Sequence, residues 1–191
     1  MTAATGALLL LLLAGTSPPG APNGAANGDG TCRLLTAGEI AAVVGGRVTE
    51  TKPTGRAAGG LAISDCFYRS EPFTSSVSLE LTRSATGPAG KIRDHWKAMF
   101  YGEKEERERE DETRTPDGAA AENPKGREKE SPPQPVEGLG DEAFWLSNPA
   151  SGVLYVLRGD SYLRVSVGGA GEESEKRQKA VELARKALSR L

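Results

Sequence analysis

Residues 152–167 read GVLYVLRGDSYLRVSV, and this stretch decides the fold. Val153 to Leu157 is a nearly continuous apolar run. Gly159 and Asp160 then supply a two-residue turn, and Tyr162 to Val167 alternates so that Leu163, Val165 and Val167 share one face. Two strands joined by two residues must be antiparallel. Arg158, Gly159 and Asp160 also spell an adhesion tripeptide, but a tight hairpin demands the same residues, and the turn reading is the stronger. Upstream, Val136 to Trp145 brings a glycine-bearing turn into another strand, and Asn148 to Gly152 reads as the turn between the two. Phe144 and Trp145 are neighbours on that strand and project to opposite faces, so one of them must enter the core.

Further back, Val77, Leu79 and Leu81 alternate with polar residues, the period of a strand with one buried face, and Cys66, Phe67 and Tyr68 sit in a second strand. Lys52 to Gly60, rich in Gly, Pro and Thr, reads as a loop. Three helices complete the pattern. The first opens at Thr36 with a capping box to Glu39, carries a Leu35 to Ile40 staple, and stops at Gly45 and Gly46. The second follows a turn at Gly87 and Pro88 and places Ile92, His95, Trp96, Met99 and Phe100 on one stripe. The third, Glu172 to Leu191, lines up Val181, Ala184, Leu188 and Leu191, with acidic residues at its start and basic ones toward its end. The expected class is α+β, an antiparallel β-sheet of five to six strands with three helices packed on it, covering one face.

Between the halves, Glu103 to Arg114 holds seven acidic and four basic side chains, and Thr115 to Pro135 lacks periodicity. Residues 103–135 therefore read as a charged, flexible excursion from a single domain spanning 32–191. Residues 1–31 read as a signal peptide and a disordered segment. Ala7 to Ala14 contains six leucines, the length of a signal-peptide apolar region and too short to span a bilayer. No Lys or Arg precedes the leucines, and no lipid-acceptor cysteine follows them. The chain of 191 residues has 24 glycines, 12 prolines and a net charge of −2, which provides no field for nucleic acid. Its two cysteines, Cys32 and Cys66, are expected to pair if the chain is exported, since an oxidising compartment makes pairing the default.

Candidate chemistry is sparse. His95 is the single histidine, too few for a zinc site, and no nucleophile elbow, metalloprotease motif or phosphate loop occurs. Gly168, Gly169 and Gly171 mimic half of a nucleotide fingerprint without a βαβ unit around them. The carboxylates from Glu105 to Glu112 alternate with Arg107 and Arg109 and read as a solvated face. No catalytic residue, metal or cofactor is expected. The candidate contact residues for an envelope protein or small apolar ligand are Phe144, Trp145, Tyr155 and Tyr162.

Cys32 ahead of the Leu34 to Gly45 helix, the Asp65-Cys66-Phe67-Tyr68 strand and Val136 to Trp145 form a set that resembles bacterial secreted or lipoprotein-type domains of unknown function. These are similar in layout to the PsbP-like α/β/α sandwich. The resemblance implies an envelope location and no established catalytic residues. Three functional expectations follow: a non-catalytic exported binding or accessory domain, periplasmic or secreted; a hydrolase-like enzyme pairing His95 with Asp94, Asp141 or Glu142; or a purely structural envelope protein.

Overall fold

In the computed structural model the described residues are 29–85, 90–102, 132–147, 152–169 and 171–191. The expected signal peptide, the carboxylates between Glu105 and Glu112, the Gly87-Pro88 turn and residues 148–151 of the expected Asn148 to Gly152 turn lie outside them. In chain order the elements are α1 (Asp29–Cys32), α2 (Ala37–Val44), β1 (Arg47–Ala58), β2 (Leu61–Glu71), a 3₁₀ turn (Phe73–Ser75), β3 (Val77–Ser84), α3 (Gly90–Phe100), β4 (Gln134–Pro135), β5 (Glu142–Ser147), β6 (Gly152–Arg158), β7 (Ser161–Val167) and α4 (Glu173–Leu188).

The strands form one sheet in the order β1-β2-β3-β7-β6-β5-β4, with every pairing antiparallel. The β6–β7 hairpin forms as its sequence dictates: Arg158 pairs with Ser161 across the two-residue turn, and Gly159 takes φ 57° there. Two meanders, β1-β2-β3 and β4-β5-β6-β7, meet where β3 pairs with β7, Leu79 opposite Val165.

The α+β class holds, with seven strands and four helices among the described residues where five to six and three were expected. One added strand comes from Lys52 to Ala58, which is the distal part of β1 and not a loop. An edge strand exposed on both faces needs no apolar alternation, and Pro53, opposite Cys66, is tolerated where no outer neighbour needs its missing donor. Another lies inside the expected excursion: Gln134 and Pro135 pair with Trp145 and Phe144. Arg177 holds them by donating to the Gln134 side chain at 3.2 Å and the Pro135 carbonyl at 3.0 Å. The fold also begins before Cys32, since Thr31 in α1 is buried.

The helices cover both faces of the sheet. One face carries Cys66, Tyr68, Leu79, Trp145, Leu154, Val156, Leu163 and Val165 and packs on Leu34, Leu35, Ile40 and α4. The buried stripe of α4 is Ala180, Leu183, Ala184 and Ala187, while Val181 and Leu188 are only half-buried and Leu191 is exposed. The expected stripe is thus rotated toward alanines, whose small side chains let the helix lie close to the strands. On the other face α3 packs Ile92 and Trp96 on Leu61, Ile63, Leu157 and Tyr162. His95 and Met99, expected on that stripe, are exposed at its margin.

Local signals for α2 are realised in detail. Thr36 Oγ1 accepts from the Glu39 amide at 3.2 Å, Glu39 accepts from the Thr36 amide at 2.9 Å, and Gly45 ends the helix at φ 76°. Glu39 has a further role, for the Arg190 guanidinium grips it at 2.6 and 2.9 Å and also donates to the Leu34 carbonyl at 2.7 Å. The Arg190 hydrogen bonds, followed by the Thr36 amide, hold the Glu39 carboxyl down from 4.5 to about 2. A depressed carboxylate stabilises the fold above its unfolded value and loses that contribution as pH falls from 4.5 through about 2. Arg190→Ala should therefore lower Tm modestly at neutral pH and flatten the acid side of the Tm-against-pH curve over that window; an unchanged acid limb would contradict the assignment.

Candidate functional site

The apolar cluster beneath α3 covers only part of its face. Three cross-strand rows follow one another along the strands there. The row under α3 runs Ile63, Thr82, Tyr162, Leu157 and Glu142. The next runs Thr54, Asp65, Glu80, Arg164, Tyr155, Phe144 and Pro135. The third carries Lys52, Phe67, Ser78, Ser166, Val153 and Leu146. Alternation along each strand puts all three on the same face. Among the described residues, no apolar cluster under a helix includes Asp65, Glu80 or the row beyond them.

The middle row concentrates charge. Asp65 and Glu80 lie directly opposite each other on β2 and β3, a like-charge pairing that an exposed sheet disfavours. Their side chains are only 21% and 12% exposed. Arg56 reaches over from the edge strand to both, at 3.3 Å to Asp65 and 3.8 Å to Glu80. Thr82 donates to Glu80 at 3.2 Å, and on the far side Arg164 donates through Nε to the Tyr155 hydroxyl at 3.2 Å. Burial, then the Asp65 charge, raises the Glu80 carboxyl above its ordinary range against the opposing pull of Arg164, Thr82 and Arg56. Burial also raises the Tyr162 phenol. The result is a half-buried basin of two carboxylates, two guanidinium groups and tyrosine hydroxyls. Phe67 flanks it, and Phe67 packs against the exposed Phe73 at 6.2 Å.

The four expected contact residues divide between the faces. Phe144, Tyr155 and Tyr162 gather around α3, with Phe100 stacked on Phe144 at 4.6 Å and edge-on to Tyr155 at 5.5 Å. Trp145 is fully buried on the opposite face, its indole donating to Glu173 at 2.9 Å. Tyr162 is buried as well, while Phe144 and Tyr155 are half-buried. Tyr155 and Tyr162 also border the charged basin.

His95 lies parallel to the Tyr162 ring at 5.9 Å. Two of the three carboxylates expected to serve it are engaged elsewhere: Asp141 with Arg93 at 3.2 Å and the Gly159 amide at 2.9 Å, and Glu142 with the Trp96 indole at 2.8 Å and Tyr101 at 3.1 Å. Among the described residues no hydrogen bond joins His95 to a carboxylate. No group of three or more metal-ligating side chains occurs among them either.

A broad open depression of about 1060 Å³ runs along the outer side of α4 past Gln134, Glu173, Arg177, Gln178, Val181 and Arg185. Its central groups already serve the fold: Arg177 ties down β4, and Glu173 accepts from Trp145. The charged basin is the better candidate, because it crowds two like-charged carboxylates against each other in partial burial.

Sequence reasoning missed Asp65 and Glu80. Both are polar residues in alternating strands, where they read as the wet face. Their apposition depends on the β2–β3 register, which no local signal states. No protein-family model, curated protein or solved structure matches this chain.

Proposed function

We propose that this chain is a non-catalytic exported binding or accessory domain, periplasmic or secreted and similar in layout to the PsbP-like sandwich, that meets its partner with the charged half of the α3-side face. The observation that carries the reading is the Asp65–Glu80 pair. Two carboxylates set side by side in partial burial weaken a sheet, and natural proteins keep such arrangements where function requires them. The flanking Phe67 and Phe73 add apolar area next to the charges, the mixture that contact surfaces use. One fact supports export: a disulfide joins Cys32 to Cys66, a bond that persists in oxidising compartments.

The test is capture from envelope extract on immobilised protein. The wild-type chain should retain a defined partner that Arg164→Ala and Asp65→Asn lose, whereas Gln178→Ala on the outer side of α4 retains it, all variants having first been shown to be folded by circular dichroism. Equal capture by all four chains would overturn the assignment of the face.

A further inference from the structure

Glu80 is the crowded member of the basin. The groups that face it come from every element packed around it: Arg56 from β1, Asp65 from β2, Arg164 and Tyr162 from β7, Tyr155 from β6, Thr82 from its own strand, and His95 of α3 through the Tyr162 ring. Arg56 serves two acceptors with two arms, Nη1 on Asp65 and Nη2 on Glu80. Its own side chain is 59% exposed, so water can take over the second arm at little cost, whereas Glu80 has little water to turn to.

We propose that Glu80 is a proton-operated latch for Arg56. In its anionic form Glu80 holds the second arm of the guanidinium. On taking up a proton from solvent it becomes a donor, hydrogen-bonds to the Asp65 carboxylate across the β2–β3 pair, and releases that arm to solvent or to an incoming anionic group. One proton enters from solvent and forms one O–H bond on the Glu80 carboxyl; no bond between heavy atoms changes. The two carboxylates and two guanidinium groups cancel in charge when all four are ionised; protonating Glu80 leaves the basin with a net positive charge, so acidification alters what the face attracts.

The linkage has a definite sign. A carboxyl raised by the fold binds its proton more tightly in the folded state, so its favourable contribution is complete below the unfolded value and is lost as pH rises through the folded one. This is opposite to Glu39. Glu80→Gln, which copies the protonated form, should therefore raise Tm at neutral pH, with the gain shrinking on acidification.

The decisive measurement is a carboxyl ¹³C titration of the whole chain, followed in parallel by exchange protection of the Arg56 Nη2–H group, the arm that Glu80 holds. The latch requires Glu80 to titrate above the ordinary glutamate range, Arg56 protection to be lost across the same step, and Asp65→Asn to move the Glu80 step down. In Glu80→Gln the Nη2–H group should be unprotected at every pH, while Nη1 stays on Asp65. His95→Gln should leave the Glu80 step in place. Arg56 protection that ignores the Glu80 step, or a step that disappears with His95, would overturn the proposal. The latch stands or falls independently of the capture experiment, which asks only whether this face meets a partner.

Discussion

Replacing both Cys32 and Cys66 with alanine should destabilise the domain by about 3–4 kcal/mol, the chain-entropy value for a loop of this length. The bond joins residues 34 apart in sequence, with Cα atoms 5.1 Å apart. In a domain of this size, that loss corresponds to a fall in Tm of roughly 10 °C. Residues 32 to 36 contain no regular element of more than a turn, yet they place Leu34 and Leu35 in the core and set the start of α2. Two side chains from distant parts of the chain also hold them: the Tyr68 hydroxyl, which donates to the Cys32 carbonyl at 3.1 Å and the Leu35 carbonyl at 3.3 Å, and Arg190, which holds Leu34. Tyr68 is itself buried, and desolvation raises its phenol to about 12, so it remains a neutral donor across the physiological range. Urea unfolding of the double variant, and of reduced wild-type protein, should give the same loss, and non-reducing peptide mapping should return the two cysteine peptides joined. A loss below about 1 kcal/mol would mean that the native contacts, and not the crosslink, hold this segment.

The parts of this molecule that sequence makes legible are those whose cause is local. The capping box at Thr36 and Glu39, the Gly45 stop and the Gly159-Asp160 hairpin each need only a few neighbouring residues, and each forms. The cysteine pairing was readable too, from a count of two. What could not be read depends on neighbours distant in sequence. Lys52 to Ala58 becomes a strand because β2 offers it an edge, not because of any pattern of its own. The near-continuous apolar run from Val153 to Leu157 read as a strand in a sheet covered on one face, yet α3 covers Leu157 and part of Tyr155 on the other. A tally of helices, however, cannot tell which face each one takes. The acid pair is the extreme case. Asp65 and Glu80 meet only because Cys66 falls opposite Leu79, and one residue of slip would remove the site altogether.

Trp145 separates the structural from the functional reading of the aromatic residues. Trp145→Ala should cost about 3–5 kcal/mol, the range for truncating a buried large aromatic side chain, while Tyr155→Phe, which removes only the hydroxyl that receives Arg164, should cost far less. The indole joins three elements: it stands on β5 opposite Leu154 of β6, and its N–H crosses to Glu173 at the start of α4. The Ser147 hydroxyl and then this indole hold the Glu173 carboxyl below its ordinary range, so the ring also fixes the charge at that helix end, where an anion is favourable. Gly152 shows how tightly the site is built, since a β-carbon there would overlap the indole ring. The fit makes the two positions interdependent. Gly152→Ala should destabilise the wild-type protein but cost much less when Trp145 is already alanine, because the added methyl group then enters the space left by the ring. Trp145→Phe should recover most of the lost stability without restoring the hydrogen bond to Glu173. A double-mutant cycle by urea denaturation measures the coupling, and strictly additive losses at residues 145 and 152 would show that the indole does not pack against Gly152.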